Sequence, residues 1–206
     1  MTTPADPGVL DQVREKLDLL RRLDAEQGFG VVIGDPVPLE PLPDLPGVAE
    51  TYRLFDRLEG DNFRFVAPEA IRSAAAWADR PVDPDDPMGS PLPVGYELHS
   101  VPPKLRGDVP GGAPIYLDVS DLEVYWMDPD DYVFQYEHPD EDVEFTVLAP
   151  DIATFVNERV LGPGYPELVA TVIGPAVPDR RLSGGRHAGE YADNWRRLLV
   201  AAGLSS

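Results

Sequence analysis

Residues 115–148 read IYLDVSDLEVYWMDPDDYVFQYEHPDEDVEFTVL and alternate apolar with polar side chains in four short runs. The runs are rich in aromatic and β-branched residues, which favour strands. They are Ile115–Val119, Leu122–Trp126, Tyr132–Glu137 and Val143–Leu148. Short breaks of Asp, Ser, Pro and His residues separate them, as in turns. This spacing predicts an antiparallel meander with one packed face and one solvated face.

Helical patterns flank the meander on both sides. Apolar residues recur at three- and four-residue steps in Val9–Glu26, Pro46–Leu58, Pro150–Leu161 and Glu190–Ala202. Shorter patterns predict strands at Val31–Ile33 and Phe63–Val66, and a long surface loop over Asp79–Pro93. Helices, then strands, then helices again predict an α+β fold, in which helices cover an antiparallel meander sheet of about four to six strands.

The length of 206 residues suits one domain with a sizeable core. We expect a single domain over 1–206, with a core of about 10–161 and a helical C-terminal extension over 162–206. No apolar run approaches the length that a membrane span needs, and the first ten residues lack the pattern of a secretory signal. The chain has no cysteine, which removes thiolate chemistry and cysteine-based metal sites. These features favour a cytoplasmic protein that does not bind membranes.

Charge is the strongest compositional signal. Thirty-seven acidic residues against 17 basic ones give a formal net charge of −20. Such a chain repels nucleic acid and anionic membranes and attracts cationic partners. The alternative is that the charge serves only solubility.

Catalytic and metal-binding motifs find little support. The three histidines, His99, His138 and His187, lie far apart in the chain, and no serine sits in a Gly-x-Ser-x-Gly elbow. The acidic segments 128–131 and 140–142 lack the spacing of a calcium loop. We therefore expect no catalytic residues, no metal and no cofactor, although a hydrolase that uses two of the many carboxylates stays open as an alternative.

Acidic residues cluster on the predicted meander. No Lys or Arg occurs between Gly107 and Glu158, whereas 14 acids do. Like charges on neighbouring strands destabilise a sheet, which favours a surface that meets a positively charged partner. Aromatic residues are interleaved with these acids, as in protein-binding hot spots. We expect Trp126, Phe134 and Phe145 to pack in the core. The predicted partner-binding residues are Asp118, Asp121, Glu123, Tyr125, Asp128, Asp130, Asp131, Glu137, Asp140, Glu141 and Asp142.

The order of these motifs resembles that of a known superfamily. A short helix with an aromatic face ends in glycine (Tyr52–Gly60), a strand-then-helix unit closes in Trp77, and a Gly-Gly turn leads into a strand (Gly111–Asp118). A Val-Tyr-Trp-Met-Asp strand (Val124–Asp128) and an apolar strand running into a helix (Leu148–Val156) follow. Over roughly residues 10–161 the chain is similar to the SMI1/KNR4, or SUKH, superfamily.

The resemblance implies an α+β sheet wrapped by helices and a bacterial immunity protein, which neutralises a toxin, often a nuclease, delivered between competing cells. It carries no catalytic residues. The same resemblance leaves a regulatory or scaffold binding module as the alternative. The resemblance and the acidic composition agree on one physical point, because a nuclease presents a basic cleft that an acidic protein could occupy.

Overall fold

The computed structural model of the chain describes residues 7–42, 45–84, 86, 88–106, 111–138 and 145–206. Helices in this part of the chain are α1 (Pro7–Gln27), α2 (Val48–Tyr52), α3 (Ala74–Ala78), α4 (Pro129–Glu137), α5 (Ile152–Thr154), α6 (Tyr165–Val172) and α7 (Asn194–Ala201). A π-helical segment, Phe155–Val160, continues α5, and 3₁₀ turns occupy Glu69–Ile71 and Pro103–Leu105. The strands are β1 (Val32–Ile33), β2 (Arg57–Glu59), β3 (Phe63–Val66), β4 (Leu92–Glu97), β5 (Pro114–Leu117), β6 (Val124–Trp126) and β7 (Thr146–Ala149).

The strands form one antiparallel meander. Each strand pairs with the next in the chain, so that the sheet order runs from β1 to β7 without a crossover. The α+β class and the antiparallel sheet are confirmed. The expected four to six strands are not, because the sheet in the described residues has seven.

The hydrophobic core lies between one face of the sheet and the helices. Ile115, Leu117 and Val124 point from the sheet into it, where Leu17 and Leu20 of α1 are fully buried. Because side chains alternate along a strand, the residues between these point to the opposite face. We call that opposite face the outer face.

The predicted strand Tyr132–Glu137 is wrong. These residues belong to α4, for which Asp128 is the N-cap and Pro129 the first helical residue. An Asp-Pro pair followed by Asp130 and Asp131 is a helix start, since the cap accepts a backbone N–H and first-turn acids suit the helix dipole. The segment fits a strand by alternation alone, and the cap overrides that pattern.

Two strands were missed. β2 overlaps the end of the predicted helix Pro46–Leu58 at residues 57 and 58. The observed helix ends at Tyr52, and the chain then turns to pair with β1 and β3. β4 lies mostly beyond the predicted loop Asp79–Pro93 but includes Pro93 and Gly95, residues that are depleted in strand interiors. A register shift between these two residues accommodates them.

The C-terminal extension folds onto the core as two helices. Trp195 of α7 is buried and its Nε1 donates a 2.9 Å hydrogen bond to the carbonyl of Val160. The predicted terminal helix, Glu190–Ala202, is thus present but begins at Asn194. In the part of the chain that the structure describes, no helix is long and apolar enough to cross a membrane.

Candidate interaction surface

The turn between β5 and β6 presents three of the predicted contact acids. Asp118 Oδ1 accepts 2.6 Å hydrogen bonds from the N–H and the hydroxyl of Ser120. Asp121 Oδ1 accepts one of 2.9 Å from the N–H of Glu123. One oxygen of each aspartate thus holds the turn, as Asx-type turns do. The other oxygen is the one available to a partner.

The acids of α4 form a second group, which follows this turn and β6 in the sequence. Asp128 Oδ1 accepts a 2.9 Å hydrogen bond from the N–H of Asp130, which caps the helix. Asp128, Asp130, Asp131 and Glu137 are all exposed. The first three stabilise the N-terminal end of the helix dipole, so their clustering has a local structural reason as well.

The remaining predicted acids, Asp140, Glu141 and Asp142, lie outside the described residues. The predicted strand Val143–Leu148 falls there in part. Its described portion forms β7 from Thr146 onward.

Tyr125 does not have the exposed position that its proposed role requires. The ring points to the outer face but is only 2% exposed. Burial, and then the negative charge of the neighbouring Asp118 carboxylate, raise the pKa of the Tyr125 hydroxyl. Asp86 and Asp121 contribute in the same direction, which places three carboxylates within electrostatic reach of this hydroxyl.

Tyr125 instead forms the centre of an aromatic row across the outer face. Tyr116 pairs with it in the sheet register and stacks on it at 5.6 Å between ring centroids. Phe145 meets its other side edge-on at 5.5 Å. Val147 also pairs with Tyr125 in the register and therefore points to the same face. We call Tyr116, Tyr125, Phe145 and Val147 the aromatic row.

The β7 end of the aromatic row is open to solvent. Phe145 is 50% exposed and Val147 is 45% exposed. In α4, which precedes β7 in the chain, Val133 is 59% exposed and Phe134 is 41% exposed. The prediction that Phe134 and Phe145 pack in the core is wrong, whereas Trp126 does pack against it. Phe145 and Val147 lie on the same face beside Tyr125, and neighbouring exposed apolar side chains of this kind mark interaction surfaces.

A groove continues the outer face toward β3 and β4. It has a volume of about 750 Å³ and is lined by Val66, Pro93 and Tyr96 from the sheet, with Asp83 and Asp86 from the loop after α3. Pro93 pairs with Tyr116, so the groove adjoins the aromatic row. Sequence reasoning missed both features, although the alternation of Tyr116 with Ile115 and Leu117 already separates the two faces.

One carboxylate with the raised pKa expected of a catalytic acid lies elsewhere, between the core and α7. Asp193 is 7% exposed, and it accepts hydrogen bonds of 2.8 Å from Asn62 Nδ2 and 2.7 Å from the Tyr165 hydroxyl. Its other oxygen caps α7 at the N–H of Trp195. The space beside Tyr165 and Trp195 is too small for a water molecule. These contacts give Asp193 a structural role.

Metal ligands are not grouped in the described ranges: no set of three or more His, Asp or Glu side chains there could hold an ion. What the outer face offers is shape, apolar area and negative charge. Comparisons of the chain with profiles of protein families, with curated proteins and with solved structures each found no match.

Proposed function

We propose that this chain is a non-catalytic, cytoplasmic protein-binding domain that engages a basic protein partner through its outer face. The observation that carries the proposal is that two solvent-exposed apolar side chains, Phe145 and Val147, lie on a sheet face bordered by acidic turns. Apolar anchors surrounded by charge are the composition of binding hot spots. The negative charge of this face predicts a basic partner, because carboxylates on one side of an interface favour Lys and Arg on the other.

The partner that fits best is a toxin that the chain neutralises, as an immunity protein of the SMI1/KNR4 type. Support comes from the sequence resemblance and from the helix-covered antiparallel sheet, which agrees with that architecture in outline. A nuclease must hold a polyanion and therefore exposes a basic cleft. An acidic, partly aromatic surface can compete for that cleft. A regulatory or scaffold module would use the same surface for a housekeeping protein.

The division of labour within the surface follows from burial. The exposed acids, Asp121, Asp128 and Asp131, steer the encounter through long-range attraction. Phe145 and Val147 bury apolar area in the complex, which slows dissociation. Tyr125 holds Phe145 through an edge-on ring contact, and it touches no partner because its own ring is already buried.

The experiment is capture of the partner by a tagged chain in its native host, at low and at high salt. The captured protein is identified by mass spectrometry, expressed alone, and tested for toxicity that co-expression of this chain relieves. We expect one basic protein whose capture weakens with salt. Relief of toxicity separates an immunity protein from a scaffold.

Matched variants locate the surface. In the site variant, Asp121, Asp128 and Asp131 become Asn, which keeps the oxygens of residues 121 and 128 that accept backbone N–H groups. In the control, Glu15, Glu26 and Glu40, all exposed on other parts of the chain, become Gln. We expect the site variant alone to slow association by about tenfold or more, in the range of electrostatic steering. Equal effects of both variants would reduce the proposal to net charge.

A second pair tests the apolar part. Phe145→Ser combined with Val147→Thr should speed dissociation, whereas Val200→Thr on α7 should not, although Val200 is 39% exposed. Unchanged dissociation in the double variant would remove the aromatic row from the interface.

A further inference from the structure

The C-terminal extension contains an arginine-lined cleft that the proposed function does not use. Its volume is about 820 Å³, and its walls come from the end of α1, the loop before α7, and α7 itself. Residues 162–206 carry five Arg against four acids, whereas residues 1–161 carry 12 bases against 33 acids. In so acidic a chain, the gathering of Arg181, Arg186 and Arg197 around one cleft is a local reversal of charge.

The Arg181 guanidinium is held in place by stacking on Tyr191, which a neighbouring arginine, Arg196, covers on its other face. Arg181 lies 3.5 Å from the ring centroid of Tyr191, and Arg196 lies 3.7 Å from the same centroid, so the ring is clamped between them. Arg196 is itself buried and fixed by Asp179, by the Tyr191 hydroxyl and by the carbonyl of Ser206. The Arg181 face of the cleft is therefore preorganised rather than a set of free surface chains.

The Arg197 guanidinium is held partly by a carboxylate of the chain itself. Arg197 Nη2 lies 2.5 Å from Glu190 Oε2, and the other oxygen of Glu190 lies 3.0 Å from His187 Nδ1. A hydrogen bond from His187, together with Arg197, holds the pKa of Glu190 below its ordinary value against an opposing effect of desolvation. The Glu190 side chain is nevertheless 46% exposed, so it can leave this position without unpacking the core.

Arg186 remains for an incoming ligand. It is exposed on the rim of the cleft, and no hydrogen bond or ion pair joins it to the described part of the chain. Phe29, Val200 and Ala201 add apolar surface on the opposite wall, where Glu26 is the one acid. The cleft thus combines three guanidinium groups with an apolar wall of the size that small-molecule sites have.

We propose that this cleft binds a small molecule that carries a phosphate group on an apolar or aromatic body. Guanidinium groups match phosphate oxygens in bidentate pairs, and a phosphate dianion satisfies more of the three than the single Glu190 carboxylate does. The ligand phosphate takes the place of Glu190 on Arg197 and reaches Arg181 and Arg186. The body of the ligand packs on Phe29. At physiological salt the distant acids are screened over about 8 Å, so the local arginines decide the sign of the potential.

The test uses phenyl phosphate as the probe and phenol as its uncharged counterpart, with binding followed by calorimetry on the full chain. We expect phenyl phosphate to bind at millimolar concentration or below, and phenol not to bind. Arg186→Ala should weaken binding by about tenfold, the loss of one charge-assisted contact. Arg22→Ala, an equal charge change on the exposed side of α1, should leave binding unchanged.

The decisive variant is Glu190→Gln, which removes the competing anion and should tighten phenyl phosphate binding severalfold. Inorganic phosphate and benzoate separate the two parts of the ligand: binding of benzoate as strong as that of phenyl phosphate would replace phosphate by carboxylate and overturn the assignment. No binding of phenyl phosphate at millimolar concentration, or equal binding by wild type, R186A and E190Q, would likewise overturn it.

Discussion

The hydroxyl of Tyr165 donates a 2.7 Å hydrogen bond to Asp193 Oδ2, and this pair fastens α7 to the rest of the fold. Asn62, from the turn between β2 and β3, donates to the same oxygen. Asp61 Oδ2, next to it, accepts a 2.7 Å hydrogen bond from the N–H of Asn194. Beside the packing of Trp195, the buried Asp193 carboxylate and its donors attach the extension, which makes the stability of this attachment sensitive to protonation.

Replacement of Asp193 by Asn should change how stability depends on pH. Burial raises the pKa of Asp193, the Tyr165 hydrogen bond opposes this, and the nearby Asp61 carboxylate adds to it. Between the unfolded pKa, about 3.9, and the raised folded pKa, the folded state holds a proton that the unfolded state has lost. This group's contribution to stability therefore falls as pH rises through that window. We expect the free energy of unfolding of D193N, relative to wild type, to rise from about pH 4 toward neutral. Chemical denaturation at several pH values measures it, and a constant difference would contradict the assignment.

Glu59, on the outer face, should contribute to stability with the opposite pH dependence to Asp193. Burial raises its pKa, but hydrogen bonds from Arg64 and Arg57 outweigh burial and leave the pKa below its ordinary value. Its contribution to stability is present at neutral pH and is lost as pH falls through the folded pKa. Glu59→Gln should lower the free energy of unfolding by about 1–2 kcal/mol at neutral pH, because the hydrogen bonds from Arg64 and Arg57 then reach a neutral acceptor instead of a carboxylate.

The same denaturation series run on E59Q provides the check. Its difference from wild type should shrink on acidification, whereas that of D193N should change the other way. Parallel changes in the two variants would show that a general effect of net charge dominates.

Gly60→Ala should loosen the attachment of α7. A Cβ built at Gly60 would lie 2.6 Å from the Cβ of Trp195, an atom that no side-chain rotation can move away. We expect a loss of about 1–3 kcal/mol, the usual cost of overpacking, read as a lower midpoint in thermal denaturation. Gly184→Ala is the matched control, because nothing lies within 4 Å of a Cβ there. If both variants unfolded alike, close packing at Gly60 would not be the cause.

The parts of the fold that sequence reasoning found are those with uninterrupted periodicity. The leucine stripe of α1 and the alternation of β5 match the buried and solvent-facing positions directly. The alternation of β3 and β6 predicts the strands themselves, although neighbouring residues in both strands are buried. β4 was missed because Pro93 and Gly95 conceal its alternation, and only pairing with β3 and β5 on both sides makes it a strand. Periodicity carries no information about such long-range pairing.

The candidate surface was predictable only in its charge. The acids of the β5–β6 turn and of α4 lie at the surface as expected, because charged side chains seek water. The prediction that Phe145 packs in the core is wrong, and Tyr125, which was predicted to contact a partner, is buried. Both are aromatic residues in alternating segments, and their exposure depends on how β5, β6 and β7 pair, which local sequence does not encode.

Two of the buried tyrosines, Tyr125 and Tyr165, provide a final prediction, because their hydroxyl groups differ in hydrogen bonding. The Tyr165 hydroxyl has Asp193 as its acceptor, whereas the Tyr125 hydroxyl is buried with no hydrogen-bond partner among the described residues. Tyr165→Phe leaves a buried carboxylate with one donor fewer, which should cost about 1–3 kcal/mol. Tyr125→Phe removes an unsatisfied polar atom and keeps the ring that Tyr116 and Phe145 contact, so it should be neutral or stabilising by up to about 1 kcal/mol. The pair is compared by urea denaturation at neutral pH, and a large loss in Y125F would mean that its hydroxyl has an acceptor, which would revise the account of the aromatic row.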